Sequence, residues 1–147
     1  MQPETLILLS IGIFGLLIGS FLNVVINRLP TMLFSAWQEE CKNLLSQPIE
    51  EEPKVNLFFP RAFCPHCLHQ IWAWHNIPII SFILLKGRCY NCTERISLQY
   101  PLIEIFTCLI SLMVYWHFGF NSTGVFALLF VWLLIPMCFI DLEHQIL

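Results

Sequence analysis

Apolar residues run almost unbroken at both ends of this chain and are interrupted in its middle. The first run, TLILLSIGIFGLLIGSFLNVVI (5–26), easily supplies the about 20 helical residues that cross a ~30 Å hydrocarbon layer. The runs LIEIFTCLISLMVYWHF (102–118) and VFALLFVWLLIPMCFI (125–140) are at the short end of the range, and each can gain a turn from interfacial aromatic or polar residues. The first run lacks the basic start and small-residue cleavage site of a removable signal. The pattern predicts an all-α polytopic membrane protein with three transmembrane helices. INRLP (26–30) is expected to end the first helix, with Arg28 snorkelling to the headgroups and Pro30 forbidding continuation. The domains that follow are a first transmembrane helix (1–29), a loop (30–97), and the second and third transmembrane helices (98–147).

Composition sharpens this picture. Apolar residues make up 57% of the 147 residues and charged residues 12%, about half the charge of a soluble domain. Mean hydropathy is +0.71. A net charge of −3 leaves no basic footprint for nucleic acid. All seven Lys and Arg residues fall between positions 28 and 95. By the positive-inside rule the 30–97 loop is then cytoplasmic, the N-terminus faces outward, and the chain re-emerges on the cytoplasmic side after position 140.

That loop contains two Cys-x-x-Cys pairs, Cys64/Cys67 and Cys89/Cys92, separated by 21 residues. A reducing compartment disfavours stable disulfides. Four thiolates delivered by two tight turns make the closed tetrahedral shell of structural zinc. A redox dithiol or unliganded thiols remain the alternatives, and His66 and His69 are spare donors. Metal-binding free energy would then fold a loop with no core of its own. Its apolar stretch IPIISFILL (77–85) is too short to span a membrane, so it lies in the interface or packs on the helices.

Other chemistry is sparse. Gly15, Gly19, Asn23 and Asn27 recur at i, i+4 and share one helix face. The face suits close helix packing with interhelical hydrogen bonds, or a polar wall beside an active site. Glu104 is an intramembrane carboxylate, either functional or paired with Arg95 or Arg28. SAWQEECKNLL (35–45) opens with a Ser35/Gln38 capping box and places Trp37, Cys41, Leu44 and Leu45 on one face of a short amphipathic helix. QPIEEEP (47–53) is an acidic linker, and Cys41, Cys108 and Cys138 read as buried small residues. Asp141, the sole Asp, stands where the third helix leaves the bilayer and is partly desolvated there. It becomes a catalytic candidate if a second carboxylate is near, because such a pair can activate water and protonate a leaving group. Glu143 and His144 are solvated neighbours by position.

Four stretches together resemble the type IV prepilin leader peptidase family: GSFLNVVINRLP (19–30), the Cys pairs flanking HNIPIISFILLKGR (75–88), ISLQYPLIEI (96–105) with its Tyr-Pro-x-x-Glu, and IDLEHQIL (140–147). The resemblance implies a bacterial inner-membrane enzyme. One activity is an aspartic peptidase that removes the basic leader of prepilins and pseudopilins at a Gly-Phe bond. The other methylates the new N-terminus with S-adenosylmethionine. It assigns Asp141 as the first catalytic aspartate and Cys64, Cys67, Cys89 and Cys92 as metal ligands in a loop linked to methyl transfer. His75 stands where the family often has Asp, and Gln99 where it often has Arg. A second aspartate in a Gly-x-Gly-Asp-type motif has no match, so the chain is expected to be an N-terminal fragment that does not cleave peptides alone. Two other readings stay open: a non-catalytic zinc-loop adaptor in pilus or secretion assembly, and a membrane thiol oxidoreductase.

Overall fold

The computed structural model describes residues 3–46, 56, 57, 59, 63, 64, 66–70 and 78–145. It contains α1 (Pro3–Leu44), α2 (Ile80–Leu84), α3 (Gln99–Phe118) and α4 (Ser122–His144), with isolated bridges and no strands among the described residues. The helices α1, α3 and α4 are long and apolar enough to cross a membrane, as the hydropathy pattern predicts. The acidic linker 47–53 and His75 lie outside the described residues.

The first helix differs from expectation. It runs unbroken for 42 residues through Pro30, about 63 Å at 1.5 Å per residue, or roughly twice the hydrocarbon thickness. Proline deprives the carbonyl four residues back of its N–H. Here Pro30 and Ile26 are both fully buried, so packing offsets the lost bond. Side chains reinforce the surrounding turns: Asn27 Nδ2 donates to the Asn23 carbonyl at 2.7 Å and Thr31 Oγ1 to that of Asn27 at 3.4 Å. Ser35 is no cap, because its Oγ donates back to the carbonyls of Thr31 and Met32, each at 3.0 Å. The segment expected as a separate amphipathic helix is therefore the end of α1, and its Trp37, Cys41 and Leu44 are exposed. Arg28, no longer at a helix end, donates through Nη1 to the loop carbonyls of Asn56 (2.8 Å) and Leu57 (3.2 Å).

Small residues set the packing of α1 against an antiparallel α3. A Cβ on Gly19 would lie 2.8 Å from Glu104 Cα, and one on Gly15 3.0 Å from Cys108 Cα. The two backbones therefore touch, as the Gly-x-x-x-Gly spacing requires. Facing them, Thr107 and Ser111 are buried and return their hydroxyls to carbonyls one turn back, at 2.8 and 2.7 Å. Trp132 of α4 donates to Ser111 Oγ at 3.0 Å and packs on Phe14 of α1, joining all three long helices. Cys108 is half-buried in this seam, whereas Cys41 and Cys138 are exposed, contrary to the expectation that they fill buried space.

A short turn links α3 to α4. Gly119 takes φ 69°, a value that favours glycine, and Asn121 caps α4 by accepting the Gly124 N–H at 2.8 Å. At the opposite end of the bundle Ile26, Ile103 and Ile140 form a buried cluster. The loop and its cysteines attach to this end, above Asn23, Tyr100 and Glu104.

Candidate functional site

The four cysteines converge. Cys64, Cys67, Cys89 and Cys92 place their sulfurs within 4.8 Å of one another, a group that could hold a metal ion. Cys64 Sγ and Cys92 Sγ are 3.7 Å apart. Zinc–sulfur bonds of about 2.3 Å in a tetrahedron give an edge of about 3.8 Å, so the donor set fits that ion.

The local cause is a turn used twice. In the first knuckle Cys64 N–H donates to the His69 carbonyl at 3.0 Å, Leu68 N–H donates to the Cys64 carbonyl at 2.9 Å, and Phe63 bridges Gln70. In the second, Cys89 N–H donates to Glu94 at 2.8 Å, Thr93 N–H to Cys89 at 3.0 Å, and Arg88 bridges Arg95. Every position recurs 25 residues later, including Leu68 and Thr93, which follow the second Cys of each pair and take φ 55° and 58°. Sequence alone showed the Cys spacing but not this symmetry, because the matching hydrogen bonds are backbone to backbone. Neither His66 nor His69 belongs to the ligand group.

Backbone amides also prepare the sulfurs. The His69 N–H, with the Asn91 side chain, holds Cys67 below the ordinary thiol value. The N–H groups of Cys92 and Asn91 bring Cys89 down to about 6. At Cys92 the Glu94 N–H acts in the same direction, but desolvation and the neighbouring cysteines prevail and push the thiol up to about 12. Crowded sulfurs thus oppose one another's ionisation, a repulsion that a bound dication relieves.

Below the knuckles a cavity of about 680 Å³ separates the cysteine module from α1 and α3. Asn23, Asn27, Arg28 and Glu104, the polar residues prominent in the sequence, all line it. Asn23 is buried and donates through Nδ2 to the Tyr100 carbonyl at 3.0 Å, while its Oδ1 has no hydrogen-bond partner among the described residues. Glu104 Oε2 accepts the Ile79 N–H at 2.8 Å, with the Ser20 side chain as a further donor. The carboxylate read as either functional or paired with Arg95 or Arg28 fastens the loop backbone. Ile79 and Phe82 complete the wall and had no sequence signal beyond lying in an apolar stretch.

Asp141 stands at the same end of the bundle, one residue after the buried Ile140, but does not line the cavity. Its side chain is exposed, at the end of α4. Its neighbour Glu143 is also exposed and accepts Gln99 Nε2 at 3.5 Å across the α3–α4 boundary.

Residues 13–118 match the family described as Bacterial Peptidase A24 N-terminal domain. The chain belongs to that family. The match takes in both Cys pairs, the Gly/Asn face of α1 and Glu104, and it bears out the resemblance read from the four sequence stretches. Among relatives named prepilin leader peptidase/N-methyltransferase, the one from Legionella pneumophila is 48% identical over 140 residues, covering 95% of this chain and 49% of the relative. That from Stutzerimonas stutzeri is 48% identical over 92% of this chain and 47% of its own length. That from Pseudomonas aeruginosa is 44% identical over 99% and 50%. This A24-family chain spans about half the length of the curated relatives it matches. No solved structure matches it.

Proposed function

We propose that this chain serves in a prepilin leader peptidase and N-methyltransferase, acting on prepilins and pseudopilins at the cytoplasmic face of a bacterial inner membrane. The observation that carries the reading is that Asp141 and the tetracysteine module share one end of the helical bundle, in a chain of the A24 family. A prepilin keeps a basic leader in water and an apolar helix in lipid, so its scissile bond lies at the boundary where α4 delivers Asp141.

Asp141 is assigned as one carboxylate of an aspartic pair. One member takes a proton from water as it attacks the peptide carbonyl, and the other gives a proton to the departing amine. The exposed position of Asp141 leaves room for water and a second carboxylate. Cys64, Cys67, Cys89 and Cys92 are assigned to structural zinc, which holds the loop folded over α1 and α3. When bound, S-adenosylmethionine supplies the methyl group.

The test is Asp141→Asn in the complete membrane-inserted protein. Leader cleavage is expected to fall by more than about 10³-fold, as for loss of an essential catalytic group. Retained cleavage removes Asp141 from the pair. The adaptor reading predicts no cleavage by either form. One equivalent of zinc in the purified protein rules out the thiol oxidoreductase reading.

A further inference from the structure

The short helix α2 is apolar on two sides. Phe82 and Leu85 line the cavity. Ile80, Ile83 and Leu84, at i, i+3 and i+4, share another face. They are 55%, 67% and 77% exposed among the described residues. The depth of this bare face is set by α3. The 20 residues of α3 match the ~30 Å hydrocarbon thickness, so Gln99 stands at its edge. Glu104, further along α3, accepts the Ile79 N–H at 2.8 Å. α2 therefore begins at the edge of the hydrocarbon, where its bare face meets acyl chains rather than water.

Basic residues follow at once. Lys86, Arg88 and Arg95 are exposed, and none of the three has an ion-pair partner among the described residues. Ile96 N–H donates to the Gly87 carbonyl at 2.8 Å, and Arg88 bridges Arg95 in antiparallel fashion. Two like charges thus stand opposite each other, an arrangement that costs stability. Glu94 is the sole carboxylate between positions 85 and 98. It lines the cavity, as does Arg95, whereas Lys86 and Arg88 do not. Phosphate oxygens would relieve the Arg88–Arg95 repulsion through charge-assisted hydrogen bonds. An apolar face at the hydrocarbon edge, with cations beside it, has the chemistry of an interfacial anchor on anionic lipid. We propose that α2, with Lys86, Arg88 and Arg95, docks on an anionic phospholipid surface and so seats the cysteine module on the membrane. The inference needs only membrane insertion and goes beyond both activities proposed above.

The experiment is amide hydrogen exchange of the complete, zinc-loaded protein in nanodiscs of phosphatidylcholine with increasing shares of phosphatidylglycerol. The reporters are the amides of Ile83, Leu85 and Gly87, each hydrogen-bonded within the α2 turn. Their exchange is expected to slow as phosphatidylglycerol is added. A basic residue near such a surface is worth about fivefold in affinity. Lys86→Gln and Arg88→Gln should therefore each weaken the apparent affinity for phosphatidylglycerol by about fivefold. Leu84→Asp sets a charge against the acyl chains and should speed exchange in either lipid. Zinc content checks that each variant keeps its loop. Exchange indifferent to phosphatidylglycerol, or an affinity unchanged in both Gln variants, overturns the proposal. Equal slowing by inorganic phosphate in detergent also overturns it, because the cations would then serve a soluble anion. Leu84→Asp without effect overturns it by placing that face against protein instead of lipid. No outcome is read from leader cleavage or methyl transfer, so each of these failures leaves the enzymatic reading standing.

Discussion

Glu104 on α3 holds the backbone N–H of Ile79, 25 residues earlier in the chain, at 2.8 Å. Ile79 is β-branched and sits at φ 57°, a conformation that such residues rarely adopt. The carboxylate thus fastens a strained turn of the loop to the transmembrane bundle. Removing it by Glu104→Ala leaves a partly buried N–H unpaired and should cost about 1–3 kcal/mol. Glu104→Gln should retain most of that stability. Thermal unfolding of the two variants side by side checks the expectation, and equal losses would return Glu104 to a role that depends on its charge alone.

The α1–α3 seam predicts different outcomes for three glycines on one helix. A methyl at Gly19 would meet Glu104 Cα at 2.8 Å, and one at Gly15 would meet Cys108 Cα at 3.0 Å, both backbone atoms that cannot swing aside. Gly19→Ala and Gly15→Ala should each destabilise the bundle by about 1–3 kcal/mol. At Gly12 the nearest atoms are side-chain tips at 3.9 Å, so Gly12→Ala should be neutral or gain up to about 1 kcal/mol of helix propensity. Melting temperatures in one detergent distinguish the cases.

The knuckle repeat makes the ligands equivalent in pairs. Cys64 and Cys89 occupy the same turn position 25 residues apart. Cys64→Ser and Cys89→Ser should therefore lose zinc to the same extent, measured as metal per protein. Chelation of the wild-type protein should open the loop to protease while α1, α3 and α4 stay helical by circular dichroism. Unchanged zinc content in either variant would withdraw the ligand assignment.

Leu68 and Thr93 carry the left-handed backbone that closes each knuckle. A non-glycine residue there costs roughly 1–2 kcal/mol. Thr93→Gly should leave zinc content unchanged and tighten zinc retention against a competing chelator. Faster zinc loss would show that the Thr93 side chain contributes something the backbone does not.

Much of this architecture can be read from the residue pattern. Hydropathy locates all three long helices, and the Gly15/Gly19 spacing announces a close helix contact. Cys-x-x-Cys marks the sulfurs before their geometry is known. What escapes is non-local or belongs to the backbone. Pro30 is a helix breaker by local rules, yet it lies fully buried within α1 because tertiary packing outweighs one missing hydrogen bond. Glu104 is visibly unusual, but its partner is a main-chain amide, and amides leave no mark in a sequence. The cavity is assembled from α1, α2, α3 and both knuckles, so no single stretch of the sequence outlines it.

The unbroken passage of α1 through Pro30 has a mechanical consequence. A bilayer that thins or thickens changes the tilt of the helices spanning it. A stiff shaft converts that tilt into sideways travel of the portion beyond the lipid, and the travel grows with distance from the pivot. Any change of tilt within the lipid therefore displaces most the far end of the same shaft whose middle turns line the pocket.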